Sequence, residues 1–248
     1  MTPGATRQNF DDAAATFDTA DFVIAAARDG LLERLEPITL EASTVVDLGA
    51  ATGSAARALG RRFKRARIVA VDASHNMLRL ARTKKAWLAK SAFLQAEAST
   101  LPFSDHSIDV VFANQLLPWL PDPLPVFAEV SRVLRKDGLF LFSTLGPDSL
   151  ADLRHEPFAD MHNVGDGLVR AGLRDPVLDV DRLTVTYDSR EALLNDFRAI
   201  GAHHCIPEQV DASSLEFELI YGHCWGGGPR SSGGEFRVDA GQIGKRHR

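Results

Sequence analysis

The chain has 248 residues, 45% of them hydrophobic and 25% charged, with a formal net charge of −5, which is the make-up of a globular protein long enough to bury a substantial core. No apolar run approaches the roughly 20 residues that span a bilayer, and the N-terminus lacks the apolar stretch of a secretory leader. The acidic balance also excludes a general nucleic-acid binder, which carries a basic face. A cytoplasmic protein with no membrane or nucleic-acid partner is therefore expected. Cys205 and Cys224 are too few for a disulfide framework and lack the spacing of a ligand pair, so reduced thiols are expected. His162, His203 and His204 are not spaced as a metal site, and no metal is expected.

Taken in chain order, residues 10–35 read as one or two helices, with Phe22, Ala26 and Leu31 as apolar positions. The run Thr44-Val45-Val46-Asp47-Leu48-Gly49 reads as a buried parallel strand entering a turn. A helix over 54–63, a strand over 67–72, a helix over 75–90 and short strands over 92–96 and 108–113 follow. Beyond the Pro-rich stretch 118–125, the pattern predicts a helix to Leu134, a turn at Lys136-Asp137-Gly138 and a strand over 139–143. The rest reads as a helix over 164–171, a strand over 183–187, a helix over 191–200 and a strand over 215–221. Strands alternating with helices predict an α/β fold with a mostly parallel sheet. The expected organisation is an N-terminal helical cap over 1–40, a main α/β domain over 41–225, and a flexible Gly-, Ser- and Arg-rich tail over 226–248.

The sharpest motif is Asp47-Leu48-Gly49-Ala50-Ala51-Thr52-Gly53, between the first strand and a helix. Glycine there lets a ligand approach the backbone, because a side chain at Gly49 or Gly53 would occupy that space. The dinucleotide fingerprint would need glycines where Ala51 and Ser54 stand, which disfavours a pyrophosphate loop. Asp72 closes the second strand 19 positions after Gly53; a carboxylate there can accept from both hydroxyls of a ribose, or it can serve the turn or cap of the next helix. Glu97, after the third strand, can accept from an adenine amino group or stand solvated in its loop. Asn114, after the fourth strand, is either a site residue or a capping or turn asparagine.

Together, the D-x-G-x-x-x-G loop and the two acids resemble the class I methyltransferases, which have a Rossmann-like fold with a seven-stranded, mostly parallel sheet and helices on both faces. The resemblance implies S-adenosyl-L-methionine as cofactor. It places Asp47 and Gly49 near the amino acid moiety, Asp72 at the ribose and Glu97 near adenine. Ala51, Gly53, Ala73, Met77 and Ala98 complete the cofactor cleft, and Asn114 lies where methyl donor and acceptor meet.

Further stretches are similar to the malonyl-acyl carrier protein O-methyltransferases of biotin biosynthesis: Phe10 to Asp18, Leu116-Leu117-Pro118-Trp119, Phe142 to Leu150, Asp160-Met161-His162-Asn163-Val164-Gly165-Asp166, Ile200-Gly201-Ala202-His203 and Tyr221-Gly222-His223-Cys224-Trp225. This implies methylation of the free carboxylate of a malonyl thioester on acyl carrier protein, an early step towards biotin. Such an acceptor is already deprotonated at pH 7 and needs positioning rather than a base. An arginine is expected to clamp it, Arg154 first and Arg198 second, although either taken alone also reads as a solvated surface residue. The acidic carrier would dock on a basic cluster such as Arg61-Arg62-x-Lys64-Arg65 or Arg82-x-Lys84-Lys85, and a monomer or weak dimer is expected. Phe17 replaces the relatives' tyrosine, and the segments after Arg154 and Cys205 are shorter than theirs. Two other readings stay open: a non-catalytic cofactor-binding assembly or regulatory factor, and a methyltransferase for another small acceptor.

Overall fold

The chain was analysed as a computed structural model that describes residues 3–84, 90–151, 153, 156–205 and 213–227. Helices α1 (Pro3–Ala13) and α2 (Phe22–Leu35) precede β1 (Thr44–Leu48), α3 (Ser54–Arg62), β2 (Arg67–Asp72), α4 (His75–Thr83), β3 (Ser91–Gln95) and β4 (Ile108–Asn114). Then come α5 (Leu124–Val133), β5 (Leu134–Leu145), α6 (Met161–Arg170), β6 (Arg174–Thr186), α7 (Arg190–Ala199) and β7 (Ser214–Trp225). The seven strands form one sheet in the order β3-β2-β1-β4-β5-β7-β6. The first five of these are parallel, and β7 runs antiparallel to both β5 and β6.

Both faces of the central strands are covered, which explains why they read as continuous apolar runs. Val45, Val110, Phe112, Leu139 and Leu141 point into one core with Leu31 and Leu35 of α2, Leu59 of α3 and Leu193 and Phe197 of α7. The intervening Val46, Val111, Phe140 and Phe142 point into the other, with Phe127 and Val130 of α5 and Leu168 of α6. In register with Phe142, β7 carries Gly222, where a Cβ would collide with the Phe142 ring. The helix starts follow from local hydrogen bonds: Ser74, Asp160 and Ser189 accept from Met77, Asn163 and Ala192 N–H, respectively.

Several boundaries differ from the sequence reading. The expected turn at Lys136-Asp137-Gly138 lies inside β5, which pairs Leu134 with Ile108 and Leu139 with Val110. The intervening residues bulge, with Asp137 at φ 60°, so the turn chemistry is used within a strand. β6 begins at Arg174 rather than at residue 183. As an edge strand it is nowhere fully buried, and its acids Asp175, Asp179 and Asp181 hide the apolar alternation. Phe22 is 40% exposed rather than on the packed face. Arg34 of α2 ties the N-terminal helices to the sheet: it donates to Asp179 and Asp181 and stacks 3.8 Å from the Tyr221 ring centroid. The expected tail lies outside the described residues from 228 onward.

Candidate functional site

In an open α/β sheet the crevice lies beyond the carboxyl ends of the strands, where the strand order reverses. Here the order reverses between β1 and β4, and a cleft of about 310 Å³ opens there. The loop after β1 forms its floor. Gly49 and Ala50 N–H both donate to Val71 O, and Gly53 N–H donates to Ala50 O. Ala51 N–H donates to Asp72 Oδ2 at 2.8 Å. These amides are turned to the protein's own acceptors rather than to a ligand anion, which agrees with the rejection of a pyrophosphate loop.

The two motif glycines serve different ends. Both hold left-handed backbone, φ 75° at Gly49 and 79° at Gly53. A Cβ on Gly49 would stand 3.1 Å from Leu116 Cδ1, and one on Gly53 would stand 3.0 Å from Ala81 Cβ. Gly49 lines the cleft. Gly53 is not among the lining residues; its bareness permits close packing of the α3 start on α4.

Asp47, Ala51, Asp72, Ala73, Met77, Glu97, Ala98 and Asn114 all line the cleft. Asp47 is 1% exposed; it accepts from Ala56 N–H, and its Oδ2 has no partner. Burial pushes its carboxyl up to about 7, opposed by that hydrogen bond and aided by nearby Asp72. Burial likewise raises Asp72 to about 6, against donation by Ser74 and Ala51 N–H. Asp72 therefore also does the turn-forming work that the sequence left open. Glu97 is exposed at the rim.

Both acids bind protons more tightly folded than unfolded. Their contribution to stability is thus greatest near and below the unfolded carboxylate range and declines as pH rises towards 7. Asp47→Asn should remove much of that decline: at pH 8 the ligand-free variant should be more stable than the parent by on the order of 1 kcal/mol, with the difference closing by pH 5. Thermal melts of both proteins across that range test this, and a difference that does not change with pH would show that Asp47 titrates normally.

Asn114 donates to Ile24 O at 2.9 Å and accepts from Ser143 Oγ at 2.8 Å. It joins α2 to β5 while lining the cleft, so its amide is committed to structure on both ends. Arg154 lies outside the described residues. Arg198 is on the exposed side of α7, bonded to Asn195, and lines neither cavity. The arginine that does line the cleft is Arg7 of α1, which the sequence reading missed because nothing in its local pattern separates it from a solvated helix residue.

Helix α1 closes one side of the cleft with Thr6, Arg7 and Phe10. It is held by Asp11, which accepts from Ser74 Oγ at 2.6 Å and Asn76 N–H at 2.9 Å, and by the edge contact of Phe10 with Trp119, 4.9 Å between centroids. Phe17 is buried against this wall. Beyond Ile24, Gln115 and Trp119 lies a second, apolar cavity of about 70 Å³, lined also by Tyr187, Phe197 and Phe217. Of the expected basic clusters, Lys84 already pairs with Asp18. Arg61 and Arg62 end α3, which starts at the cleft and runs away from it. Lys85 lies outside the described residues.

The cleft therefore offers carboxylates for a cation or a diol and apolar walls for an aromatic ring, and among the described residues no cysteine, histidine or lysine lines it. Among the described residues no group of three or more His, Cys, Asp or Glu side chains could hold a metal, and no helix is long and apolar enough to cross a membrane.

A family model described as a methyltransferase domain matches residues 46–142. The chain is 34% identical to the malonyl-[acyl-carrier protein] O-methyltransferase of Halorhodospira halophila, over 98% of this chain and 95% of that protein. It is 35% identical to the protein of the same name from Methylovorus sp., over 88% and 87%. The first alignment runs over 281 positions, more than the 248 residues here, so that relative carries segments this chain lacks. Among solved structures, the YcgJ protein of Bacillus subtilis is similar at TM-score 0.62 and 17% identity, covering 82% of this chain and 98% of that one. An S-adenosylmethionine-dependent methyltransferase of Mesorhizobium loti gives 0.53 and 16%, over 81% and 99%. At these identities the structures attest the fold alone, a Rossmann-like class I methyltransferase. The full-length likeness to the curated relatives establishes more: this chain belongs to the malonyl-acyl carrier protein O-methyltransferase family.

Proposed function

We propose that this enzyme methylates the free carboxylate of a malonyl thioester carried on acyl carrier protein, using S-adenosyl-L-methionine, in the biotin pathway. The observation that carries the reading is the likeness to enzymes of that name over nearly the whole of both chains, joined to a cleft whose chemistry suits the cofactor. The unpartnered, buried Asp47 Oδ2 is the feature that tests the fit: an oxygen left without a donor in the protein is suited to an ammonium group of a ligand. Asp72 and Glu97 stand in the same cleft for ribose hydroxyls and an adenine amino group, and Met77, Ala73 and Ala98 supply the apolar walls.

When bound, S-adenosylmethionine supplies an electrophilic methyl group on a sulfonium centre. The chain's own residues hold it and exclude water. The acceptor carboxylate is ionised at neutral pH and brings its own nucleophilic oxygen, so the protein has no proton to remove. Among the described residues that line the cleft, the side chains suited to act as a base near pH 7 are the raised acids Asp47 and Asp72, and the reaction as proposed draws on neither for that role. Catalysis then rests on orienting two bound groups, an effect worth up to roughly 7 to 11 kcal/mol in favourable systems.

The test is methyl transfer from labelled S-adenosylmethionine to malonyl-acyl carrier protein, with calorimetric binding of S-adenosylhomocysteine on the same preparation. Transfer is expected, and it should vanish when the malonyl carboxyl is replaced by a methyl group. Tight homocysteine-cofactor binding without transfer would overturn the malonyl reading and leave another acceptor or a non-catalytic binder.

A further inference from the structure

Gln115 stands where the two cavities meet: with Ile24 and Trp119 it lines both the cofactor cleft and the apolar cavity, and of the three it alone has a buried polar side-chain atom without a partner. Three observations set it apart. It follows the last residue of β4 with left-handed backbone, φ 53°, a conformation that side-chain-bearing residues seldom adopt and that the surroundings must enforce. The enforcement is visible: its N–H is held by both the carbonyl and the hydroxyl of Ser143, each at 3.1 Å. Finally, its side chain is 6% exposed, and Nε2 has no hydrogen-bond partner. A buried amide N–H without an acceptor costs about 1 to 3 kcal/mol, so a carboxamide kept there in a strained backbone is explained by a ligand that completes it.

The surroundings name the ligand's chemistry. The second cavity is lined by the apolar Phe197, Phe217, Ile24 and Trp119, and by Tyr187 and Asp196, which carry polar groups. Burial pushes the Tyr187 hydroxyl up to about 12, so it stays a neutral O–H, and burial raises the Asp196 carboxyl. The missing partner is a hydrogen-bond acceptor, and for methyl transfer it must meet Gln115 on the side of the cofactor cleft, which Gln115 also lines.

We propose that Gln115 binds the acceptor, its side-chain N–H donating to an oxygen of the carboxylate that is methylated and holding that group where the two cavities adjoin. This rests on the carboxyl-methylation reading above. It makes Gln115 a determinant of acceptor binding, apart from the acids assigned to the cofactor.

The experiment compares the parent with Gln115→Met and Gln115→Glu in three measurements: transfer to malonyl-acyl carrier protein, calorimetric binding of malonyl-coenzyme A in the presence of S-adenosylhomocysteine, and thermal melting. Methionine keeps the shape and removes the unpaired N–H. Melting should stay level or rise, S-adenosylhomocysteine affinity should hold within twofold, and kcat/KM for the malonyl acceptor should fall roughly tenfold to a hundredfold, the worth of a hydrogen bond to a charged group. Gln115→Glu should lose more at pH 8 and recover part of the loss as pH falls, since only its protonated form can donate; this profile should appear in kcat/KM for the malonyl acceptor without a matching loss of melting temperature, which destabilisation by a buried charge would bring. Unchanged kcat/KM in Gln115→Met, or an equal loss of homocysteine-cofactor affinity, would overturn the assignment. If the parent binds the malonyl thioester in a Gln115-dependent way but transfers nothing, the binding role stands and the reaction assigned above falls. If it neither binds nor transfers, both fall.

Discussion

Phe127→Ala is expected to lower the unfolding free energy by about 3 to 5 kcal/mol, the usual cost of removing a fully buried phenylalanine. Phe127 of α5 is wholly buried, with its ring centroid 6.3 Å from those of both Phe140 and Phe142 on β5. It also lies against Gly167 of α6, where a Cβ would approach its Cε2 to 3.1 Å. One ring thus joins two helices to the central sheet, and backbone contact on one side limits how far the site can collapse around the void. Against a typical total of about 5 to 15 kcal/mol this is a large fraction. The effect should reach the site, because the preceding residue, Val126, lines the cofactor cleft. Urea unfolding of the ligand-free protein measures it, and a loss under about 1 kcal/mol would mean that the three-ring cluster is not the centre of that core.

Asp72→Ala should weaken S-adenosylhomocysteine binding by roughly 1.5 to 3 kcal/mol, the scale of hydrogen bonds made by a charged group. The carboxylate has two duties. Oδ2 accepts from Ala51 N–H and Oδ1 from Ser74 N–H, each at 2.8 Å, so it fixes the loop after β1 and the start of α4. On the reading proposed here it also accepts from the ribose hydroxyls. Alanine removes both, while the burial that raises the carboxyl to about 6 means that a poorly solvated charge goes with them. The melting temperature of the ligand-free variant should therefore move much less than the affinity. Asp72→Asn keeps one acceptor and should fall between. Calorimetry of the three proteins checks the order, and an unaltered affinity in the alanine variant would remove Asp72 from the ribose site.

The parts of the site that could be read from the chain are those whose chemistry is local. Asp47, Gly49 and Ala51 lie on one strand-to-helix loop, and Asp72, Ala73 and Met77 follow the next strand, so their spacing along the chain already encodes the crevice at the strand ends. The same holds for the buried strands, whose β-branched and aromatic runs at Val45–Val46 and Val110–Phe112 can only be covered on both faces. What failed to show was long-range. β6 was foreshortened because an edge strand needs no buried face. At Gly53 the need for a positive φ is legible locally, whereas the neighbour that requires its bareness, Ala81, is not.

By itself, the sequence determined the α/β class, the cofactor loop with its acids and the family, because strand periodicity, glycine placement and long motifs are properties of neighbouring residues. Only the tertiary structure decided that Arg7, Phe10 and Trp119 wall the cleft, that Asn114 is bound to Ile24 and Ser143, and that Gln115 stands unpartnered between two cavities. Each of these depends on which distant atom lies within hydrogen-bond or van der Waals reach, and that distance is set by packing of the whole chain.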